Sequence, residues 1–428
     1  MKIAIKTLGC KSNRYESDSI YEILRPDFEV YEVNEGASSF AKKSDQQADL
    51  LIVNSCTVTH VADRKSRQAI RSFKRFNPDS KVAVFGCSSN IHPDQYDNMI
   101  EVDFRADNSK DIVKYSRDLA ASIQQDNICN YQYHDGQGIR TRALVKIQDG
   151  CNNFCSYCII PFARGPEYSF SSKEILRQVK SKELQGYKEI VLTGINIGEW
   201  RDDNMNTTGL IKFLIQETST IRFRISSIEP KNFSRKFYEL FQTGRLCKHM
   251  HMSLQSGSDS VLKRMRRNYD TKFFSNICNS FREVCPDISL TTDVIVGFPG
   301  ESDSEFKETL DYLKSIQFSR IHVFPYSKRK NTAAYLMKGQ IDNKTKKERS
   351  KILRNLSMKF ELNFWNSLLG STSELLIEEI DDDYYKGRSS NYIPIKIPIE
   401  KFSCSINEIV KVKLLKVHDN TFVEGIVI

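Results

Sequence analysis

The stretch Cys151-Asn-Asn-Phe-Cys155-Ser-Tyr-Cys158 places three cysteines in CxxxCxxC spacing, directly after a predicted strand at 143–148. Three thiolates on one short loop can ligate three irons of a cubane [4Fe–4S] cluster. The fourth iron then has no protein ligand, so a small molecule can bind there. A structural zinc site normally needs four ligands and usually shows paired CxxC motifs. The spacing therefore favours a cluster over zinc.

The segments after this loop predict a central domain built from βα units. From residue 142 onward, helical runs separate six strand-like runs, at 143–148, 189–193, 222–226, 249–254, 288–296 and 320–323. This alternation is typical of a parallel sheet covered by helices. A closed barrel of this type has eight units. Six units over residues 142–368 therefore predict an incomplete (β/α)6 barrel.

The regions on either side predict two further domains. Residues 1–125 alternate strand-like and helix-like runs, which predicts a doubly wound parallel sheet. Residues 126–141 are weakly patterned and read as a linker. Residues 369–428 contain short β-branched runs between polar turns, which predicts a small all-β barrel. The predicted fold class is α/β, with three domains.

Three more cysteines each follow a predicted strand of the first domain. Cys10 follows the strand at 2–7, Cys56 that at 50–54, and Cys87 that at 81–85. Ligands of a doubly wound sheet bind at the carboxyl ends of its strands. We therefore expect the three thiols to converge on one edge, where a second three-cysteine cluster fits. The alternative is that small apolar thiols simply fill strand ends.

Composition narrows the class of protein. The 428 residues are 39% hydrophobic, which excludes a disordered chain, and the net charge of +9 favours a polyanionic partner. Eleven cysteines are an odd count and too sparse for a disulfide scaffold. The sequence has no apolar run long enough for a membrane span and no apolar signal-peptide segment at its start. We therefore expect a cytoplasmic protein with reduced thiols and no membrane partner.

Together these motifs resemble a known family. A CxxxCxxC loop that opens an incomplete barrel resembles the radical S-adenosylmethionine enzymes. The elements Gly-Cys10-Lys-Ser-Asn, Asn-Ser-Cys56-Thr-Val-Thr and Gly-Cys87 resemble the methylthiotransferases within that superfamily. The resemblance covers essentially the whole chain, including a TRAM-like C-terminal domain. The run from Cys56 to Gln68 resembles the branch that acts on tRNA carrying N6-threonylcarbamoyladenosine, although Ser12 departs from the usual apolar residue.

The resemblance implies a reaction and its cofactors. Two [4Fe–4S] clusters are expected, a radical cluster on Cys151, Cys155 and Cys158 and an auxiliary cluster on Cys10, Cys56 and Cys87. S-adenosylmethionine would be both radical source and methyl donor, and an external electron donor and a sulfur source would be needed. The expected product is 2-methylthio-N6-threonylcarbamoyladenosine, formed at C2 of position 37 in the tRNA anticodon stem-loop.

Two other functions remain open at this point. The same chemistry could act on an isopentenyl-type adenosine of tRNA or on an aspartate of a ribosomal protein. In another class, the chain could be a zinc-containing RNA-binding protein without catalysis.

The resemblance also implies residues that contact S-adenosylmethionine. Polar residues at the ends of barrel strands line the site in folds of this kind, and an aromatic next to the last cysteine usually lies against the adenine, although it could also be an ordinary core aromatic. The expected contacts are Tyr157, Thr193, Gly194, Ser227, Glu229, Gln255, Ile295 and Gly297.

Basic residues near the motifs are candidates for RNA contact. Arg64, Arg67 and Arg71 recur at three- and four-residue spacing on a helix predicted to begin four residues after Cys56. The alternative is an ordinary solvated helix face. Residues 371–428 carry 7 Lys and Arg against 10 Asp and Glu, which is unexpected for an RNA-binding tail. Further candidates are Arg264, Arg267 and Lys328.

Overall fold

The computed structural model of the chain describes residues 1–33, 47–123, 140–231 and 233–428. The predicted α/β class is confirmed, with an N-terminal parallel sheet, a central set of βα units and a closed C-terminal barrel. The predicted linker lies outside the described residues except for its last two positions. Among the described helices, none combines the length and apolar character needed to cross a membrane.

The N-terminal sheet has five parallel strands in the order β2-β1-β3-β4-β5. Its central strand β3 is buried along its whole length, as a strand covered by helices on both faces should be. The elements are β1 (Lys2–Thr7), α1 (Lys11–Leu24), β2 (Glu29–Glu32), β3 (Leu50–Ser55), α2 (His60–Phe76), β4 (Lys81–Gly86), α3 (Cys87–Ile91), α4 (Pro93–Asp97), β5 (Phe104–Arg105) and α5 (Ser109–Ile123). Because β1, β3 and β4 are adjacent, their carboxyl ends meet at one edge.

The central domain begins with β6 (Arg142–Lys146), β7 (Gln148–Asp149), α6 (Ile160–Arg164), β8 (Tyr168–Ser169), α7 (Ser172–Leu184), β9 (Glu189–Thr193), β10 (Arg201–Asp202), β11 (Met205–Asn206), α8 (Thr207–Glu217), β12 (Arg222–Ile225) and α9 (Arg235–Glu239). It continues with β13 (His249–Gln255), α10 (Asp259–Arg264), α11 (Thr271–Val284), β14 (Ser289–Val296), α12 (Asp303–Ile316), β15 (Arg320–Pro325), α13 (Ala333–Leu336) and α14 (Asn343–Ser367).

Six of these strands form the barrel wall, in chain order. β6, β9 and β12 make one parallel sheet, and β13, β14 and β15 make another. Single bridges between Phe223 and Leu246 and between Ile228 and Met252 join the two sheets. Among the described residues, β6 does not pair with β15, so the wall is open between them. A 3₁₀ turn (Leu240–Thr243) follows α9.

The C-terminal strands close into a barrel in the order β16-β17-β18-β20-β19. They are β16 (Thr372–Ile380), β17 (Tyr384–Ser389), β18 (Pro394–Pro398), β19 (Ile409–His418) and β20 (Phe422–Val427). The sequence did not predict β17, whose centre is Gly387. A Cβ there would lie 1.8 Å from the Leu376 carbonyl oxygen, so a glycine is needed where the two strands approach.

Candidate active site at the domain interface

The CxxxCxxC loop is held in one shape by contacts to distant segments. Ser156 donates its backbone N–H to the Met265 carbonyl (3.1 Å) and its hydroxyl to the Arg264 carbonyl (2.8 Å). Gly150 begins the loop at φ +68, and a Cβ there would lie 1.9 Å from a Pro166 carbonyl oxygen. Phe154 has φ 45 although it is not a glycine. The loop backbone is therefore fixed by these contacts, with a costly left-handed conformation at Phe154.

The cysteines of this loop lie in a poorly hydrated pocket beside a buried cation. Burial raises the pKa of Cys151, and it raises the pKa of Cys158 to about 12. A cluster needs thiolates, and the Arg267 guanidinium, whose side chain is 5% exposed, donates a hydrogen bond to Cys155 Sγ at 2.9 Å. Arg267 also pairs with Glu229 at 2.5 Å. Its charge is therefore positioned to stabilise thiolates on this loop.

The structure brings Cys10, Cys56 and Cys87 together around one side chain, Asn13. Asn13 Oδ1 accepts from Cys10 Sγ at 3.5 Å and from Cys87 Sγ at 3.9 Å. Cys56 is the third member of the group and lies next to Gly9, the residue before Cys10. A Cβ added to Gly9 would lie only 2.9 Å from Cys56 Sγ. Burial raises the pKa of Cys56 to about 11 and that of Cys87 to about 12, while Cys10 is exposed.

Asn13 also fixes the loops that carry these cysteines. Its Nδ2 donates to the carbonyls of Leu8 and Ser55 and to Asn54 Oδ1, each at 3.0 Å. One buried amide thus joins the ends of β1 and β3 to the first turn of α1. Among the described residues, no three His, Cys, Asp or Glu side chains are close enough to share a single metal ion. A cubane cluster differs because each thiolate binds its own iron.

A buried cation on the helix after the CxxxCxxC loop reaches the second cysteine set across the domain interface. Arg164 lies at the end of α6, six residues after Cys158, and donates to Asn13 Oδ1 at 2.6 Å and to Glu16 at 2.8 Å. Lys146 on β6 pairs with the same Glu16 at 3.0 Å. Burial alone would raise the pKa of Glu16, but the charges of Arg164 and Lys146 hold that pKa below its usual value. This interaction anchors α1 against the barrel.

A second buried ion pair lies on the other side of the same cysteine set. Arg329, which follows β15, pairs with Asp63 of α2 at 2.6 Å and also donates to the hydroxyl of Thr57, next to Cys56. Asp63 accepts from Ser88 at 2.7 Å, next to Cys87. The barrel therefore contacts the Cys56 loop directly, and Asp63 connects the same ion pair to the Cys87 loop.

Buried polar atoms without a partner lie where the barrel strands β9 and β12 end. Among the described residues, they include Thr193 Oγ1, both amide atoms of Asn196 and Ser226 Oγ. Each buried polar atom left unpaired costs about 1–3 kcal/mol. Because the carboxyl ends of barrel strands form the ligand-binding face of this fold, these atoms fit a polar ligand such as S-adenosylmethionine. Asn196 and Ser226 lie in stretches that end predicted strands, but they were not among the eight residues predicted to contact the cofactor.

The other residues predicted to contact that cofactor differ in their packing, exposure and backbone conformation. Tyr157 packs with Ile295 against a cluster that includes Phe298 and Tyr326. Gln255 adopts φ 71, and Ser227 is half-buried. A Cβ on Gly194 would lie 2.7 Å from the Gln148 carbonyl oxygen, and one on Gly297 would lie 2.4 Å from Lys346 Cγ. Both glycines therefore allow a close approach at the end of a barrel strand.

The predicted RNA contacts differ in accessibility. Arg64 and Arg71 are exposed on α2, and Arg67 is half-buried and donates to Gln95 at 3.3 Å. Arg264 pairs with Glu305 at 2.8 Å, and exposed Lys328 lies over the Tyr335 ring. Arg267 is unlike them, because its guanidinium is buried against Cys155 and is not available to RNA in this structure.

Comparisons with known proteins agree with this architecture. A family described as the radical SAM superfamily matches residues 145–313, and one described as uncharacterized protein family UPF0004 matches residues 2–106. The structure of the radical S-adenosylmethionine methyltransferase TsrM from Kitasatospora setae, with cobalamin and a [4Fe–4S] cluster bound, aligns with a TM-score of 0.55 at 12% identity. The alignment covers 76% of this chain and 74% of that one, which shows a shared fold.

Two curated relatives identify the family. The threonylcarbamoyladenosine tRNA methylthiotransferase MtaB of Bacillus subtilis is 36% identical, over 97% of this chain and 94% of its own. A tRNA-2-methylthio-N(6)-dimethylallyladenosine synthase of Endomicrobium trichonymphae is 32% identical, over 91% of this chain and 92% of its own. The prediction of a radical S-adenosylmethionine transferase is thereby confirmed. The chain belongs to the radical S-adenosylmethionine methylthiotransferase family.

Proposed function

We propose that the chain adds a methylthio group to C2 of N6-threonylcarbamoyladenosine at position 37 of tRNA. The observation that carries this proposal is the hydrogen bond from Arg164, on the helix that follows the CxxxCxxC loop, to Asn13, which contacts the second three-cysteine set. One set alone suits radical chemistry, whereas a second set next to it offers a place for sulfur delivery. The name of the Bacillus subtilis relative favours threonylcarbamoyladenosine as the base, and the named dimethylallyladenosine synthase gives the second candidate.

Each cysteine set has features that fit a [4Fe–4S] cluster. Cys151, Cys155 and Cys158 would hold the radical cluster, with Arg267 neutralising thiolate charge at Cys155. Cys10, Cys56 and Cys87 would hold the auxiliary cluster, with Asn13 and Arg164 as polar neighbours. When bound, the clusters and S-adenosylmethionine supply a radical able to take the unreactive C2 hydrogen of adenine and the sulfur that replaces it. An external electron donor and a sulfur source complete the proposed reaction.

The chain's own residues would bind and orient the cofactor and exclude water. Buried Thr193, Asn196 and Ser226 would pair their free polar atoms with polar groups of S-adenosylmethionine. Tyr157 and Ile295 offer the apolar surface against which its adenine would pack. The further residues proposed to contact the cofactor are Gly194, Ser227, Glu229, Gln255 and Gly297.

RNA contacts are proposed for basic residues on the accessible side of the interface. Arg64, Arg67 and Arg71 lie on α2, which begins just beyond Cys56, so phosphates bound there would place the anticodon loop near the auxiliary set. Arg264 and Lys328 extend the same proposal to the barrel. We reassign Arg267 from RNA contact to the support of the cysteine loop, because its side chain is buried there.

Iron content tests the two-cluster proposal directly. We expect about eight irons per chain in anaerobically prepared protein, and about four when Cys151, Cys155 and Cys158 are all changed to alanine. The triple variant at Cys10, Cys56 and Cys87 should also retain about four. Cys404→Ala, a change of one partly exposed thiol outside both sets, is the matched control and should keep all eight. Stoichiometric zinc with no visible absorbance would contradict the proposal.

Mass analysis of nucleosides tests the substrate. With anticodon stem-loops as substrates, the enzyme should convert threonylcarbamoyladenosine and leave dimethylallyladenosine unchanged. In tRNA from a strain lacking the gene, 2-methylthio-N6-threonylcarbamoyladenosine should disappear and its unthiolated precursor should accumulate. Conversion of the dimethylallyl stem-loop alone would assign the chain to the second candidate function.

A further inference from the structure

The net positive charge of the chain is concentrated in one segment, residues 326–360. This segment contains 11 Lys and Arg against 2 Asp and Glu, a net charge of +9. The whole chain also has a net charge of +9, so the other 393 residues carry 52 charges of each sign. The segment starts directly after β15 and includes most of α14. A polyanion attracted by the net charge of this protein is therefore attracted to this segment.

The basic segment begins at the candidate active site. Arg329 pairs with Asp63 at 2.6 Å and donates a hydrogen bond to Thr57, in the loop of the auxiliary cysteine set. Lys328 and Lys330, on either side of this buried arginine, are both exposed. The chain therefore leaves the auxiliary set as a series of solvent-accessible cations.

Helix α14 continues the basic segment away from the site. Near its start, Lys346 lies against Gly297 and Arg349 pairs with Glu301 at 2.7 Å, and both of these partners follow the carboxyl end of β14. Near its end, Trp365 belongs to the apolar core of the C-terminal barrel. The helix therefore runs from the ligand-binding face of the βα barrel to the C-terminal barrel.

The exposed face of α14 carries four cations in a row. They recur at three- and four-residue spacing, so they share one face of the helix and extend over about 15 Å. All four are exposed, and among the described residues none of their side chains forms an ion pair or a hydrogen bond. The two buried arginines of the segment, in contrast, both pair with carboxylates. We call the four residues the α14 basic stripe: Lys344, Lys347, Lys351 and Arg354.

The composition of the stripe favours a phosphate backbone as its partner. Like charges three and four residues apart repel one another and destabilise a helix. A bound polyanion removes this repulsion and releases counterions to the solvent. Protein interfaces, in contrast, are depleted in lysine and enriched in aromatic residues, and the stripe has three lysines and no aromatic residue. The C-terminal barrel at the far end of α14 carries more acidic than basic residues, so it does not offer the same attraction.

We propose that the α14 basic stripe binds the phosphate backbone of the tRNA anticodon stem while the anticodon loop occupies the candidate active site. This inference rests on the proposed function. Because the basic segment starts at the auxiliary set and leads away from it, the base-paired stem lies along α14 and the unpaired loop reaches the cysteines. Contacts to phosphates fix the position of a nucleic acid without reading its sequence. The stripe therefore orients the substrate and does not select the substituent on N6.

The salt dependence of RNA binding tests this proposal. The ligand is an anticodon stem-loop that carries threonylcarbamoyladenosine, and its equilibrium Kd is measured between about 50 and 200 mM salt. Each phosphate contact contributes about 0.7–0.9 to the slope of log Kd against log salt concentration. Changing all four cations of the stripe to glutamine should therefore lower this slope by roughly 3 and weaken binding at low salt by at least about 10-fold. Raising the RNA concentration should restore the yield of methylthio product.

A matched control removes four positive charges from other helices of the same barrel. The four lysines are exposed and lie on α7, α8, α9 and α11. This control variant has the same net charge as the stripe variant, but it should keep the wild-type slope and Kd. Its substitutions are Lys173→Gln, Lys212→Gln, Lys236→Gln and Lys272→Gln.

A second RNA tests the same contacts from the other side of the interface. It is the anticodon loop as a single strand without its stem, again carrying threonylcarbamoyladenosine. The wild type should bind this strand with a slope lower than that for the stem-loop. The stripe variant should show little further change between the two RNAs, because removing the stem and removing the stripe eliminate the same contacts.

The outcomes separate the inference from the proposed function. A stripe variant with the wild-type slope would overturn the inference, whether α14 is an ordinary solvated surface or binds an acidic protein. A wild type that binds the stem-loop but forms no methylthio product from it would overturn the proposed function instead. Iron content and urea denaturation of both variants, measured alongside, show that weaker binding does not follow from loss of a cluster or from unfolding.

Discussion

Replacing Cys10 by alanine is expected to abolish methylthiolation of tRNA while S-adenosylmethionine is still cleaved to 5′-deoxyadenosine. Cys10 belongs to the set around Asn13 and not to the CxxxCxxC loop, so we expect the radical cluster to assemble normally. Mutation of a residue that only hydrogen-bonds to a metal ligand typically lowers metal affinity or activity about 10- to 100-fold, and loss of the ligand itself should have a larger effect. We therefore expect the yield of methylthiolated product to fall by at least about 100-fold. Product and 5′-deoxyadenosine are measured together by mass analysis.

Cys10 is the best of the three auxiliary cysteines for this test. It is exposed, whereas Cys56 and Cys87 are buried, so alanine at position 10 leaves no cavity in the core. Cys151→Ala is the complementary variant and should lose both products. Retained methylthiolation in Cys10→Ala would refute the assignment of the auxiliary set, and loss of 5′-deoxyadenosine in it would refute the independence of the two sets.

Local sequence patterns predicted most of the elements. Continuous apolar runs such as Leu50–Ser55 mark strands of a parallel sheet that is buried on both faces. Both ends of the strand Glu189–Thr193 and the first residue of the helix His60–Phe76 were predicted correctly. Strand β17 was not predicted because its sequence, Tyr-Tyr-Lys-Gly-Arg-Ser, is mostly polar and contains a glycine. Its place in the barrel depends on pairing with β16 and β18, which its own six residues do not indicate.

The residues that join the site could not be predicted because their partners are far away in the sequence. Arg267 lies 112 residues from Cys155, and Asn13 lies 151 residues from Arg164. A basic residue after a helix looks like a solvated charge until the fold is known, which is why Arg267 was assigned to RNA. The nearest sequence signal for Arg164 was its position six residues after Cys158.

Replacing Glu189 by glutamine is expected to destabilise the protein by about 3–5 kcal/mol, because it leaves two buried arginines without their counter-charge. Glu189 is 1% exposed and pairs with Arg224 at 2.6 Å and with Arg222 at 2.8 Å. Arg224 also donates to the carbonyls of Ser389 and Ser390, so the same charges hold the C-terminal barrel against the βα barrel. Urea denaturation gives the change in the free energy of unfolding.

Glu217→Gln is the matched control, since Glu217 forms an exposed pair with Lys180 and should contribute at most about 1 kcal/mol. The pH dependence gives an independent check. Burial alone would raise the pKa of Glu189, but Arg224 and Arg222 hold it at about 2, against a usual value of about 4.5. A lowered pKa stabilises the folded state fully above the usual value and progressively less as pH falls toward 2. Wild-type stability should therefore fall more steeply than that of Glu189→Gln between about pH 4.5 and 2, and parallel curves would show that Glu189 is not ionised in the fold.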